Sequence, residues 1–225
     1  MVSVRFVMHL VLTLILDLHK LHGFEPILQL LRDPSPVLRM WAAWIVATVA
    51  QNNPEGQKKA IELGALPEVI ELFQREQEDK VIAKALLALS ALVKDNDTTL
   101  AKFLSEGGLK ALASVLSPAE HLPLTTPTKM KTVFFLTHIF RHDSSSRDAF
   151  REIGALEYLL PLLKDEDMDL REKTLLALME LLQNNRTNAK ACIKLNLHSV
   201  CSDPPPLSAG SCADSSLFHR SCKNE

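Results

Sequence analysis

The sequence predicts an all-α solenoid: a right-handed stack of about four helical repeats and the start of a fifth. Three observations carry this. The first is a period. His22-Gly23-Phe24-Glu25-Pro26-Ile27-Leu28 returns as Gly64-Ala65-Leu66-Pro67, as Gly107-Gly108-Leu109-Lys110 and as Gly154-Ala155-Leu156-Glu157; from Phe24 to Leu66, Leu109 and Leu156 the steps are 42, 43 and 47 residues. Periods in this range with helical patterning mark stacked helical repeats. The second is composition. The chain is 47% hydrophobic but only 5% aromatic, and the repeats are rich in Leu and Ala, which favour helix. The third is column chemistry. Val46, Leu89, Leu136 and Leu178 align as one apolar column and Val49, Leu92, Ile139 and Leu181 as another. Their i, i+3 spacing puts both on one helix face, the core face.

Each repeat reads as three helices. A short one precedes the glycine (Gln57–Leu63, Thr99–Ser105, Arg147–Ile153), and a second follows it, ending near Leu31, Phe73, Leu116 and Leu163. After a polar break rich in cap and turn residues, a third and longer helix is expected at Pro36–Asn52, Lys80–Lys94, Lys129–Arg141 and Leu170–Gln183. Three helices in about 42 residues is the armadillo layout; the HEAT repeat has two. The stretch from Ser117 to Thr128 explains the longest step and reads as a loop on the rim. Asn188–Asn196 begins a fifth unit, so the repeat domain is set at residues 17–197.

The flanks read differently. Phe6 to Leu16 is almost wholly apolar. Residues 1–16 are read as a helix capping the first repeat; the alternative is a secretory signal, although no small-x-small cleavage site follows. Residues 198–225, with Pro204-Pro205-Pro206 and a serine-rich run, are read as disordered. All four cysteines, Cys192, Cys201, Cys212 and Cys222, lie in the last 34 residues, with no two closer than nine. That spacing fits neither a tight zinc pair nor a disulfide framework, so reduced thiols and no metal or other cofactor are expected.

A solenoid buries its core between neighbours and presents a long concave face, so a binding protein is expected rather than an enzyme. The chain contains no G-x-x-x-x-G-K-[ST], G-x-S-x-G or H-E-x-x-H, the motifs of phosphate-binding, esterase and zinc-protease sites. Net charge is −2, which gives no overall pull towards nucleic acid or anionic membrane. In an armadillo stack the third helices line the groove. Their positions off the core columns are Val37, Trp41, Trp44 and Thr48; Lys80, Lys84, Leu87 and Ala91, with Lys94; Lys131, Phe134 and His138, with Arg141; and Asp169, Lys173, Leu176 and Glu180. Both tryptophans of the chain fall here. Trp and Arg concentrate energy in interfaces, and lysines steer an acidic partner. The expected partner-binding set is therefore Trp41, Trp44, Lys80, Lys84, Lys94, Lys131, Phe134, His138, Arg141 and Lys173. No stacking series of aromatics accompanies the lysines, so nucleic acid is not the expected partner.

Ala42-Ala43-Trp44-Ile45 followed by Gln51-Asn52-Asn53-Pro54 and Gln57 resembles the first-repeat signature of Fes-type nucleotide exchange factors, armadillo proteins that serve DnaK-type heat-shock chaperones. Asp17–Phe24 is similar to the entry into that repeat, Lys84–Val93 to the second repeat, and Phe135-Leu136 to the third. The resemblance implies a monomeric co-chaperone whose concave face embraces the chaperone's ATPase domain and promotes ADP release, in the cytoplasm or, as the alternative branch, in the endoplasmic reticulum lumen. The other reading is a generic armadillo adaptor for an extended peptide. Such adaptors use an asparagine ladder on the third helices, where this chain has Thr48, Ala91, His138 and Glu180.

Overall fold

The computed structural model describes residues 24–117 and 124–195. The expectations for residues 1–16 and 198–225, and for half of the stretch from Ser117 to Thr128 (118–123), lie outside the described residues. Within them the chain is helical, with no strand. The first repeat contributes α1 (Phe24–Leu30) and α2 (Pro36–Ala50). The second is α3 (Pro54–Glu62), α4 (Ala65–Arg75) and α5 (Asp79–Val93). The third is α6 (Asp97–Ser105), α7 (Gly108–Leu116) and α8 (Thr126–His142). The fourth is α9 (Ser145–Glu152), α10 (Leu156–Leu159) running into a 3-10 turn at Leu160–Lys164, and α11 (Met168–Leu182). α12 (Arg186–Lys194) opens the fifth.

The third helices form one layer: α2 packs along α5, α5 along α8, and α8 along α11. Both predicted columns lie at the heart of the stack. Val46, Leu89, Leu136 and Leu178 are buried, as are Val49, Leu92, Ile139 and Leu181.

Punctuation repeats as faithfully as the core. The Asn53 side chain accepts a hydrogen bond from the Gly56 N–H (3.1 Å), Asn96 from Thr99 (3.0 Å) and Asn185 from Asn188 (2.9 Å). Asp143 does the same for Ser146 (2.7 Å). Each supplies an acceptor to an otherwise unpaired donor of a helix's first turn. These caps start the first helices two to three residues earlier than expected, at Pro54, Asp97 and Ser145. Just before three of the caps, Asn52, Asp95 and Asn184 adopt a left-handed φ of 54°, which ends α2, α5 and α11; α2 accordingly stops at Ala50 rather than Asn52. Asn and Asp tolerate that conformation better than other side chains. The glycines of the motif turn the chain in the same way, with φ of 84° at Gly64, 81° at Gly107 and 74° at Gly154.

Two further boundaries depart from expectation. α8 begins at Thr126, because Pro127 suits the first turn of a helix, so the rim loop ends sooner than predicted. The fourth repeat's second helix tightens into a 3-10 turn at Leu160. Pro161 has no N–H to donate, and its ring would crowd the carbonyl four residues back.

Repeats are also stitched together by polar contacts. Arg39 forms a two-pronged pair with Glu76 (2.7 and 3.0 Å), Arg32 reaches Glu68 and Glu71, and Lys129 lies 3.5 Å from Asp165. Gln57 Nε2 donates to the carbonyls of Ala91, Leu92 and Lys94 (3.0, 3.1 and 2.8 Å), satisfying the open end of α5. At the far end of the layer, α11 keeps a bare apolar face. Leu175 aligns with Ala43, Leu86 and Val133, which are at most 1% exposed, yet it is 44% exposed. Met179 aligns with the buried Ala47 and Thr137 and the half-buried Ser90, and is 66% exposed. In the earlier repeats the next third helix covers these positions; among the described residues none covers α11.

Candidate functional site: the layer of third helices

The accessible side of α2, α5, α8 and α11 carries the residues expected there. On α2, Trp41 and Trp44 are one helical turn apart and both reach solvent. Their rings stack with centroids 5.0 Å apart and planes 23° from parallel. On α5, Lys84 holds its Nζ 3.8 Å from the Trp44 ring centroid, a cation–π contact between two repeats. Leu87 is half-buried beside it. On α8, Phe134 stands 63% exposed, the most prominent aromatic of the layer. Ala91 departs from expectation. It is buried, because α3 and the end of α2 close over it, and Gln57 binds its carbonyl.

The cations divide into committed and uncommitted groups. Arg141 gives two hydrogen bonds to Glu180 Oε1 (2.9 and 2.7 Å), so its charge is met across to α11. Lys84 is committed to Trp44. Among the described residues, Lys80, Lys94, Lys131 and Lys173 make no ion pair within 4.0 Å. The groove is thus less uniformly basic than the column of residues suggests; its free charge lies on those four lysines.

Two hollows flank Phe134. The first, about 480 Å³, lies at the C-terminal ends of α2 and α5 and is lined by Gln51, Asn53, Gln57, Lys94, Asp95 and His138, among others. His138 is half-buried there, and its ring lies 4.3 Å from that of His142. Burial, chiefly, with the neighbouring His142, Lys94 and Arg141, pushes its pKa below the ordinary histidine value, against the opposing pull of Asp95. His138 is therefore a neutral polar contact at pH 7. The second hollow, about 350 Å³, is bounded by Leu86, Leu87 and Ser90 of α5, Pro127, Met130, Lys131 and Phe134 of α8, and Lys173 of α11.

Sequence reasoning grouped these residues by register. It missed the charge neutralisation at Arg141, the cation–π link at Trp44 and the two hollows, all of which depend on how neighbouring repeats face each other. It also missed Gln57, whose signal was present: a glutamine in the first turn of a short helix that otherwise follows the repeat pattern. Among the described residues, no cluster of His, Cys, Asp and Glu has the makings of a metal site, and no helix is long and apolar enough to cross a membrane.

Residues 16–126 match the SIL1/FES1/HPBP1 C-terminal domain. The Hsp70 nucleotide exchange factor FES1 of Yarrowia lipolytica is 30% identical over 146 residues, which is 64% of this chain and 50% of that protein. FES1 of Eremothecium gossypii is 30% identical over 173 residues, covering 73% and 58% respectively. Hsp70-binding protein 1 of Macaca fascicularis is 28% identical over 155 residues, covering 69% and 41%. The chain therefore spans about half the length of the curated relatives it matches. In fold it is similar to a designed armadillo repeat protein in complex with the peptide (KR)4, with a TM-score of 0.70 at 22% identity over 87% of this chain and 82% of that one. A second designed armadillo repeat protein gives 0.69 at 20% identity, covering 92% and 90%. The likeness to the SIL1/FES1/HPBP1 C-terminal domain thus lies in residues 16–126, on an armadillo-type fold.

Proposed function

We propose that the protein is a co-chaperone that binds the ATPase domain of a DnaK-type (Hsp70) chaperone through the layer of third helices and promotes release of ADP. One coincidence carries this reading. The stretch that matches the family, residues 16–126, includes Trp41, Trp44, Lys80, Lys84 and Lys94, and the structure leaves Trp41, Trp44, Lys80 and Lys94 exposed with Lys84 against Trp44. The proposed contact set is these residues with Lys131, Phe134, His138, Arg141 and Lys173 on the following repeats. Residues 17–197 act as the binding domain.

The mechanism requires no bond chemistry from this chain. By holding a form of the ATPase domain with an opened nucleotide cleft, the protein lowers the chaperone's affinity for ADP. Coupling of this kind is reciprocal: ADP must weaken the grip of the protein by the same factor. In this reading the protein acts as a monomer and contacts neither nucleic acid nor membrane. The cytoplasm is its compartment, with the endoplasmic reticulum lumen as the alternative; the unpaired, buried Cys192 thiol suits a reducing environment.

The test loads a purified Hsp70 ATPase domain with a fluorescent ADP analogue and follows its release with and without the full-length chain. Faster release that saturates with added chain is the expected result. A parallel calorimetric titration should give weaker binding with ADP present than without. Equal affinities would refute exchange activity and leave the generic armadillo adaptor as the surviving reading.

A further inference from the structure

We propose that the second hollow, between α5, α8 and α11, is a subsite for one apolar side chain of a partner protein, flanked in the partner's sequence by carboxylates that pair with Lys131 and Lys173. The inference rests on the reading that the third-helix layer is the partner-binding face, and adds to it the chemistry of the segment that docks.

The lining sets the central requirement. Leu86, Leu87, Pro127, Met130 and Phe134 offer hydrocarbon, a thioether and an aromatic face, while Ser90 is the one hydroxyl group in the lining. At about 350 Å³ the hollow can take a branched aliphatic or aromatic side chain. A polar side chain there would lose its water without finding partners. Met130 is half-buried on the floor, and an unbranched, polarisable side chain adapts to different apolar shapes. Phe134 forms a wall and keeps most of its ring in solvent, an exposure that an incoming apolar group would remove.

The rim sets the second requirement. Lys131 and Lys173 line the hollow from α8 and α11, and lysine stems can lie along apolar surface while their ammonium groups stay in water. Neither has an ion-pair partner among the described residues. Lys129, two residues before Lys131, is already at Asp165, and Arg141 at Glu180. Asp169 lies one helical turn before Lys173 but makes no ion pair with it and does not line the hollow. The hollow on the other side of Phe134 contrasts with this one: it sets one lysine, Lys94, beside a carboxylate of its own, Asp95, with Gln51 and Asn53. Carboxylates are thus favoured more strongly on the α11 side of Phe134, with two lysines and no acid in the lining, than on the other, where Asp95 offsets Lys94.

The test uses the full-length chain labelled with carbon-13 at methionine methyl groups, with Met130 assigned from Met130→Leu. Two blocked peptides are titrated, Gly-Asp-Phe-Asp-Gly and Gly-Lys-Phe-Lys-Gly. The Met130 signal should move with the acidic peptide at about tenfold lower concentration than with the basic one, while Met168 and Met179, outside the hollow, stay fixed. In Lys131→Glu/Lys173→Glu, two surface changes that leave the core untouched, the preference should reverse. Equal response to both peptides, no response, or an unchanged preference in the double variant overturns the proposal. So does a Met130 shift on dilution of the chain alone, which would make a second copy the occupant. A third titration with the Hsp70 ATPase domain separates the two readings. If the domain neither binds nor releases ADP faster while the peptide preference holds, the subsite stands and the chaperone assignment falls. If it exchanges ADP with Met130 unmoved and the double variant equally active, the subsite falls and the assignment stands.

Discussion

Lys84 holds its ammonium 3.8 Å from the centroid of the Trp44 ring, on the side chain that also stacks on Trp41. The contact joins the third helices of the first two repeats and holds a large apolar ring on an exposed surface. A partly exposed cation–π pair contributes roughly 0.5–1 kcal/mol, too little to account for the fold. Its effect is pre-organisation: the ring is placed before a partner arrives, so less side-chain entropy is lost on binding.

In the proposed complex, Trp44→Ala should therefore speed dissociation of the Hsp70 ATPase domain by roughly thirtyfold, about 2 kcal/mol, as expected for an aromatic anchor buried on binding. Lys84→Met should change melting temperature little and weaken binding by a smaller factor. The chain has two tryptophans, Trp41 and Trp44, so intrinsic tryptophan fluorescence reports this patch alone. Partner binding that leaves the fluorescence unchanged would place the interface elsewhere.

The repeat frame was legible because its signal is redundant. Val46, Leu89, Leu136 and Leu178 each have a second apolar residue three positions on, and all eight are buried. The caps were harder to see. Asn53, Asn96, Asp143 and Asn185 look like ordinary loop residues until the first helices are aligned, and only then is each found one or two residues before its helix. The 3-10 turn after Leu159 was readable from Pro161 in principle, but the four leucines around it masked the break. Partner-specific geometry was not legible at all. Arg141 finds Glu180 39 residues away, and no local rule links them, since the meeting depends on the offset between successive third helices.

The bare face of α11 predicts an asymmetry in stability. Leu86→Ala, at a buried position, should cost about 2–4 kcal/mol through lost transfer energy and a residual cavity. Leu175→Ala, at the aligned but 44% exposed position, should cost under about 1 kcal/mol, because little apolar area re-enters water. Urea denaturation of the two variants compares them directly. Equal losses would show that Leu175 is covered in solution.

Glycines of the repeat differ in what they tolerate. At Gly64 an added Cβ meets nothing within 4 Å, and the penalty is only the left-handed φ of 84°, about 1 kcal/mol. At Gly56 a Cβ would lie 2.2 Å from the Val49 carbonyl oxygen. Since that atom belongs to the backbone, α3 would have to move away from the end of α2. Gly56→Ala should thus lower the melting temperature more than Gly64→Ala, even though Gly56 has ordinary helical dihedrals.

The pair between Arg39 and Glu76 gives the chain a pH-dependent joint between its first two repeats. The Glu76 side chain is 4% exposed and that of Arg39 is 16% exposed. Burial alone would raise the Glu76 carboxyl, but hydrogen bonds from Arg39 and from the N–H groups of Glu78 and Gln77 outweigh it and hold it below the ordinary value of 4.5. A carboxylate whose folded pKa is depressed contributes stability that is full above its unfolded pKa and is lost as pH falls through the folded one. The protein should therefore lose stability progressively below about pH 4.5. Arg39→Met should cost about 3 kcal/mol at pH 7, because it strands a buried charge and also removes the donor to the carbonyls of Asp33 and Pro34. That deficit should shrink as pH falls, since protonating Glu76 removes the unpaired charge. Arg39→Lys should rescue only part of it, as an ammonium cannot reproduce the two-pronged geometry. Denaturation midpoints for the parent and Arg39→Met between pH 7 and pH 3 test the point, and a deficit that stays constant across that range would show that the pair does not titrate with folding.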